Sequence, residues 1–255
     1  MRSTTSWLRS SHRAPGPHSP VVILLPHAGG SASYYHGLSA CLAPSARVLI
    51  AQYPGRQDRY RDPFAESIPY IAGAVATDLT SALDSGTAIT VFGHSMGSLV
   101  GFELAKQLEV DGCNVRQFIA SGRNAPHIRG DGLSPELPND SLLGRLLDMG
   151  GTDPLLLDHR ELMEIALRVL RADLWTIAQY RPDPGDVLTC PIVAVRGTSD
   201  SSVNGEGAAE WRRYTRSGTR MMTLPGGHFY LADEEQQQTL AEIILGGWPD
   251  TIRTA

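Results

Sequence analysis

Runs of apolar residues, separated by polar and glycine-rich segments, divide the chain into alternating strands and helices. The first run, Val21–Leu25, is continuously apolar, which is typical of a strand buried on both faces of a parallel sheet. Further strands are predicted at 47–52, 88–92, 115–121, 191–196 and 220–224. Apolar residues at helical spacing predict helices at 67–83, 96–108 and 232–245. This alternation predicts an α/β fold with a mostly parallel central sheet and helices on both faces.

The alternation stops between residues 124 and 182, where no strand is predicted. Leucines at 141–149 and apolar residues at 162–177 recur at helical spacing instead. We therefore expect a helical insertion at about 124–182 that lies on the sheet, within one domain at 21–255. Residues 1–20 are rich in Ser, Arg, His and Pro, and they predict a flexible N-terminal arm.

Composition and charge exclude several classes of protein. The 255 residues are 42% hydrophobic with a formal net charge of -5, whereas nucleic-acid binding needs a basic face. Three cysteines without a CxxC spacing favour a reducing compartment over a disulfide framework. The chain has no apolar run of the roughly 18 residues that span a bilayer, and residues 1–20 lack the apolar core of a secretory signal. We expect a cytoplasmic protein without membrane or nucleic-acid partners.

The clearest chemical signal is the segment at 93–97, Gly-His-Ser-Met-Gly, which fits the pattern G-x-S-x-G. It lies between a predicted strand and a predicted helix, the context of the nucleophile elbow in the α/β-hydrolase fold. There a sharp turn projects the serine hydroxyl above the sheet, and glycines flank it because side chains would clash. An ordinary glycine-rich turn with an idle serine is the alternative. The context favours Ser95 as a nucleophile.

A serine hydroxyl needs a general base, and this fold orders its triad as serine, acid, histidine. Three histidines follow Ser95 in the chain: His127, His159 and His228. His228 comes just after the last predicted strand of the sheet, at the carboxyl edge where the base must lie. The other two fall at the entrance and at a helix start of the helical insertion, and they are predicted to be surface histidines.

The acid is predicted by the same reasoning from strand ends. Asp200 comes directly after the predicted strand at 191–196, again at the carboxyl edge of the sheet. Asp183 and Asp186 precede that strand and stand beside Pro and Gly, so a role in a turn is enough to account for them. Asp200 is therefore the predicted acid that orients the imidazole.

A tetrahedral intermediate also needs backbone N–H donors for its oxyanion. Met96, the residue after the nucleophile, is one predicted donor. Residues 26–31, Pro-His-Ala-Gly-Gly-Ser, form a glycine-rich segment after the first strong strand, which we call the glycine loop. Ala28 of this loop is the second predicted donor, and His27 is predicted to be structural. Phosphate-loop, dinucleotide and zinc-spacing motifs are absent from the sequence, so no cofactor or metal is expected.

Five segments together resemble a known family: residues 25–31, 53–56, 93–97, 170–173 and 227–231. The chain resembles the type II thioesterases that accompany modular polyketide synthases and nonribosomal peptide synthetases. The resemblance implies hydrolysis of stalled or incorrect acyl groups from the phosphopantetheine arm of acyl or peptidyl carrier proteins. It also implies that the insertion is a mobile lid and that the triad is Ser95, Asp200 and His228. Ser201 departs from relatives that often carry a second acid there.

Other functions are consistent with the same residues. A carboxylesterase or lipase would use the same triad, and a cyclising thioesterase is a further alternative, although a free-standing chain that begins near its first strand is not expected of one. A non-catalytic carrier-binding protein is not expected to keep all three triad residues. Four arginines of the insertion could meet an acidic carrier surface, or simply face solvent: Arg145, Arg160, Arg168 and Arg171. A monomer is expected.

Overall fold

The computed structural model describes residues 6–129, 133–150 and 159–246. Within these ranges, seven strands form one sheet in the order β1-β3-β2-β4-β5-β6-β7. The strands are β1 (Leu8–Arg9), β2 (Val21–Leu25), β3 (Arg47–Ala51), β4 (Ala88–His94), β5 (Asn114–Ser121), β6 (Ile192–Gly197) and β7 (Thr219–Leu224). Among these described strands, only β1 runs antiparallel to its neighbour, and every other pairing is parallel. The predicted α/β fold with a mostly parallel sheet is confirmed.

Strand β2 lies in the interior of the sheet, as its uninterrupted apolar sequence predicts. It pairs with β3 on one side and β4 on the other, and all five of its residues are buried. A strand covered on both faces has no solvent side, so no polar alternation is needed. Its carboxyl end at Leu25 leads directly into the glycine loop.

Helices cover both faces of the sheet. They are α1 (His36–Leu42), α2 (Ile68–Ser81), α3 (Met96–Val110), α4 (Asn139–Asp148), α5 (Arg160–Gln179), α6 (Gly205–Ala209) and α7 (Glu234–Leu245). Apolar residues of α2 and α3 belong to one core cluster, and those of α1 and α7 belong to a second cluster on the opposite face. The sequence predicts neither α1 nor α6, because a short helix has too few turns to show a period.

The N-terminal segment contains an unpredicted strand. In β1, Leu8 pairs with Ala51 of β3, and the backbone N–H of Trp7 donates to the Asp78 carboxylate at 2.6 Å. The guanidinium of Arg59 lies 4.3 Å from the centre of the Trp7 ring. The prediction of a flexible arm is therefore wrong at residues 7–9, where one tryptophan and two ladder positions anchor the chain to the sheet edge.

The helical insertion lies between β5 and β6 and contains α4 and α5. Of the predicted insertion, residues 130–132 and 151–158 lie outside the described residues. The described remainder has no strand, and Leu142 of α4 packs with Leu167, Leu170 and Leu174 of α5 in a cluster of its own. In the part of the chain that the structure describes, no helix has the length and apolarity to cross a membrane.

Candidate active site

Ser95 occupies the sharp turn between β4, which ends at His94, and α3, which begins at Met96. Its backbone has φ +54° and ψ -114°, outside the regions that a residue with a side chain favours. Such a conformation costs on the order of 1–3 kcal/mol and persists only where the surrounding structure holds it. The predicted strand–turn–helix context of this serine is thus present.

The two glycines that flank Ser95 are needed for space. A Cβ atom on Gly93 would lie 2.0 Å from the carbonyl oxygen of Gly97. A Cβ atom on Gly97 would lie 2.0 Å from the carbonyl oxygen of Leu25. Because these contacts are with backbone, no side-chain rearrangement relieves them. The second contact also shows that the end of β2, where the glycine loop begins, lies against the first turn of α3.

Asp200 and His228 meet at the carboxyl edge of the sheet, after β6 and β7. Asp200 Oδ2 lies 2.8 Å from His228 Nδ1, and the two side chains are 1% and 4% exposed. Asp200 Oδ1 accepts from the N–H of Ser202 at 2.9 Å and from its hydroxyl at 2.6 Å. Burial alone would raise the pKa of Asp200, but the hydrogen bonds from His228 and Ser202 outweigh it and lower that pKa. The carboxylate is thus held ionised and oriented toward the imidazole.

His228 also lies beside the elbow, because the centre of its ring is 4.9 Å from that of His94. The competing histidines are elsewhere: His127 Nδ1 lies 3.0 Å from the hydroxyl oxygen of Tyr214, and His159 is exposed at the start of α5. The structure therefore brings His228, and neither rival, next to the residue that precedes Ser95.

The rival acids have structural partners of their own. Asp183 accepts from the N–H of Gly185 within a turn, and Asp186 forms an ion pair with Lys106. Neither carboxylate is placed at His228, whereas Asp200 is.

The glycine loop forms a tight turn next to the elbow. The N–H of Gly30 donates to the carbonyl of His27 at 3.0 Å, and Gly29 has φ +77°. Ala28, the second residue of this turn, does not have positive φ, so the turn is of type II, which favours glycine at its third residue. Ala28 is one predicted oxyanion donor, and Met96, the other, is the first residue of α3. The chain just before the turn lies against α3, because a Cβ atom on Gly97 would lie 2.8 Å from the carbonyl oxygen of Pro26.

Two further histidines, His27 and His94, are buried at the site. Burial first, and then the charges of His228 and Arg56, lower the pKa of His27 to about 3. Burial, together with the neighbouring His228 and His27, holds the pKa of His94 well below its usual range. Both rings are therefore neutral at pH 7, which agrees with a structural role for His27.

Several side chains that support the site were not predicted from sequence. His94 Nδ1 lies 2.8 Å from the Ser121 hydroxyl, which lies 2.6 Å from that of Tyr230. Ser202 could have been found, because an Asp that accepts from the N–H two residues later is a common turn motif. Ser121 and Tyr230 carry no such local signal, since their meeting depends on the sheet. Among the described residues, no cluster of three or more His, Cys, Asp or Glu could hold a metal ion.

A family model described as a thioesterase domain matches residues 20–246 of the chain. The chain belongs to this thioesterase family. The resemblance noted from the sequence is thereby confirmed, and the enzyme is a hydrolase that acts on thioester bonds.

Individual relatives agree with this assignment. The thioesterase is 39% identical over 230 residues to thioesterase PikA5 of Streptomyces venezuelae, covering 89% of this chain and 81% of that protein. It superposes on the type II thioesterase BorB from the borrelidin biosynthetic cluster with a TM-score of 0.80 and 35% identity, covering 94% of this chain and 95% of BorB. For YbtT, the type II thioesterase from the yersiniabactin pathway, the TM-score is 0.86 at 27% identity, with 96% and 98% covered.

Beside the site, the thioesterase has a cavity of about 100 Å³ between the helical insertion and α3. Most of its lining residues are apolar, among them Leu99 of α3 and Leu174 and Ile177 of α5, and two arginines add polar surface. A smaller cavity at His228 shares Arg123, Ile128 and Arg129 with it. The aliphatic side chains in the wall of the larger cavity suit a small hydrocarbon group.

Proposed function

We propose that the protein is a type II thioesterase that removes stalled or aberrant acyl groups from the phosphopantetheine thiol of acyl or peptidyl carrier proteins. The observation that carries this proposal is the buried Asp200–His228 pair, with 2.8 Å between Oδ2 and Nδ1, beside the strained Ser95 elbow. The similarity to type II thioesterases of the borrelidin and yersiniabactin pathways supports the carrier-bound substrate.

In the proposed acylation step, Ser95 Oγ attacks the thioester carbonyl carbon while His228 Nε2 takes the hydroxyl proton. The carbonyl oxygen becomes an oxyanion that accepts from the N–H groups of Met96 and Ala28. The C–S bond then breaks, and His228 returns its proton to the departing pantetheine thiol. Asp200 holds the imidazole through Nδ1 and stabilises its positive charge during the transfer.

In the proposed deacylation step, water replaces the thiol. His228 takes a proton from the water as its oxygen attacks the acyl-enzyme carbonyl. Collapse of the second tetrahedral intermediate breaks the ester bond to Ser95, and His228 protonates the serine oxygen as the free acid leaves. Every proton transfer and charge contact is assigned to groups of the chain, so the reaction needs no metal or organic cofactor.

The leaving group distinguishes this function from the nearest alternative, a carboxylesterase of small oxygen esters. A thiol leaves more readily than an alcohol, but the same site accepts both. The test is the hydrolysis of short acyl groups from a phosphopantetheinylated carrier protein, beside the matching oxygen esters. Faster release from the carrier supports the proposal, whereas activity on oxygen esters alone would refute the carrier assignment.

Matched variants complete the experiment. Ser95→Ala removes the nucleophile and is expected to abolish release, while Ser33→Ala, a change of an exposed serine, is expected to leave it unchanged. If Ser95→Ala releases acid at the wild-type rate, the triad assignment falls. If neither protein releases acid, yet both bind the carrier, the non-catalytic alternative replaces the proposal. Sedimentation of the same samples tests the expected monomer.

A further inference from the structure

A buried ion pair connects the helical insertion to the glycine loop. Arg56 donates from Nη1 to Asp173 Oδ2 and from Nη2 to Asp173 Oδ1, each at 2.7 Å, and both side chains are 6% exposed. Asp173 belongs to α5 of the insertion, whereas Arg56 follows β3 in the main domain. Two parallel hydrogen bonds fix the relative orientation of the two groups as well as their distance.

Both members of this pair also bind the backbone of the glycine loop. Asp173 Oδ2 accepts from the N–H of Gly29 at 2.8 Å, and Arg56 Nη1 donates to the carbonyl of Gly30 at 3.0 Å. The N–H of Gly29 is part of the peptide group between Ala28 and Gly29, the central peptide of the turn. Because turns of types I and II differ by a flip of that peptide, the carboxylate selects the type II form.

Two further hydrogen bonds, one to the loop and one to the residue that follows it, come from the segment that also carries Arg56. The Tyr53 hydroxyl donates to the carbonyl of Pro26 at 3.2 Å, and Gln52 Oε1 accepts from the N–H of Ala32 at 2.8 Å. These bonds hold the two ends of the loop, whereas Asp173 holds its centre, next to Ala28. Leu170, one turn before Asp173, also approaches Gly29, since a Cβ atom there would lie 3.6 Å from its Cδ1.

Arg171 extends the connection into the insertion. Its guanidinium donates to the carbonyl of Leu137 at 2.6 Å and to Asn139 Oδ1 at 2.6 Å, and it also contacts the carbonyl of Pro135. Arg171 thus binds the segment that leads into α4, two residues from the acid that binds the glycine loop. It is occupied within the protein rather than turned toward a carrier.

From these contacts we propose that Asp173 and Arg56 are positioning residues for the oxyanion-binding N–H of Ala28, and that they couple the helical insertion to it. The inference rests on the proposed function, because it takes Ala28 as an oxyanion donor. Loss of the carboxylate removes the bond that fixes the Ala28–Gly29 peptide and leaves the Arg56 charge without its partner. The N–H of Ala28 belongs to the preceding peptide, so it is displaced through the backbone torsions of Ala28 when the turn relaxes. A displaced donor weakens binding of the transition state more than binding of the substrate.

The test compares Asp173→Asn and Arg56→Lys with the wild type in three measurements. These are kcat and KM on acyl-pantetheine, the affinity for an acyl-pantetheine trifluoromethyl ketone, and the affinity for the matching thioether, which lacks the carbonyl. The ketone forms a Ser95 adduct whose oxyanion needs the Ala28 N–H, whereas the thioether does not. For Asp173→Asn we expect kcat and ketone affinity to fall together by about 100-fold, with thioether affinity and KM unchanged.

Arg56→Lys retains the charge and the Asp173–Gly29 bond but loses the two-pronged geometry. We expect a smaller fall, on the order of 10-fold, with the same parallel between kcat and ketone affinity. If Asp173→Asn does not fold, Arg56→Lys tests the positioning role instead, through its loss of ketone affinity relative to its loss of thioether affinity. Equal losses of ketone and thioether affinity, or wild-type kcat in the folded variants, would overturn the proposal.

Glu103→Gln is the matched control, because Glu103 is also a buried acid with a cationic partner. It pairs with Lys106 at 2.8 Å and accepts from the Tyr180 hydroxyl, next to the end of α5, at 2.7 Å. Its variant is expected to lower stability but to keep the wild-type kcat for each folded molecule. If Glu103→Gln lowers kcat as much as Asp173→Asn does, the loss comes from general destabilisation of the fold, and the positioning role of Asp173 is refuted. A wild type without activity on acyl-pantetheine would refute the proposed function itself.

Discussion

Replacing Asp200 by Asn tests the proposed triad because the structure dictates how the amide would orient. Ser202 directs two donors, its N–H and its hydroxyl, at Oδ1 of Asp200, whereas His228 Nδ1 faces Oδ2. The amide oxygen of Asn is therefore drawn to the Oδ1 position, since an NH2 group there would meet two donors. The NH2 group then faces His228 and donates to Nδ1.

A histidine that accepts at Nδ1 carries its proton on Nε2, so it cannot take a proton from Ser95. In serine hydrolases the wrong imidazole tautomer lowers kcat by about 10⁴. This factor corresponds to about 5 kcal/mol of transition-state stabilisation. We expect a loss of that size in Asp200→Asn, with KM little changed, because the pair does not contact the ground-state substrate.

The assay is single-turnover release of a short acyl group from pantetheine near pH 7, on Asp200→Asn beside Asp183→Asn. Asp183 lies in a turn at the protein surface, so its variant is expected to keep wild-type kcat. Adding Ser202→Ala to Asp200→Asn removes one of the two donors that orient the amide, and part of the activity is expected to return. A kcat for Asp200→Asn within tenfold of the wild type would refute the reasoning.

Three further predictions concern packing, pH and specificity. Gly97→Ala is expected to lower the free energy of unfolding in urea by about 3 kcal/mol or more, because the new Cβ would lie 2.0 Å from the carbonyl oxygen of Leu25. The control Gly73→Ala has open space around the new Cβ and is expected to be neutral or stabilising. The folded state lowers the pKa of His27 to about 3, so between pH 6.5 and 3 the unfolded state binds a proton on His27 that the folded state does not. The free energy of unfolding is therefore expected to fall as the pH drops through this range. His27→Leu should reduce the slope, and an unchanged slope would contradict the lowered pKa of His27. Ile177→Ala is expected to enlarge the apolar cavity and raise kcat/KM for longer acyl chains relative to acetyl, and an unaltered chain-length profile would show that acyl groups bind elsewhere.

The strands β2 to β7 could be predicted because each has at least five residues, enough for its apolar pattern to indicate burial. Strand β2 matches its prediction at both ends, and α2 at Ile68–Ser81 lies within the predicted 67–83. Strand β1 was missed because two residues cannot show a period, and its pairing depends on β3, about forty positions away.

The candidate site was predictable where a strand end or a motif marks it. Ser95, Asp200 and His228 each follow a strand of a parallel sheet, so topology alone places them at one edge. The contact between Arg56 and Asp173 could not be predicted from spacing, because the two residues are 117 positions apart and belong to different structural layers. Only the folded chain shows which backbone groups they bind.

The position of the helical insertion in the sheet has a consequence for how such enzymes diversify. The chain leaves the sheet after β5, forms the insertion and re-enters the sheet at β6. These two strands are direct neighbours, with Ser121 paired to Val195. Its length and sequence can therefore change during evolution without altering the register of any strand, since longer loops add little closure entropy. The contact with Gly29 sets one condition on this freedom: an insertion transplanted from a relative would need an acid where Asp173 lies. Chimeras built with and without that acid would show whether the insertion transfers acyl-chain preference independently of kcat.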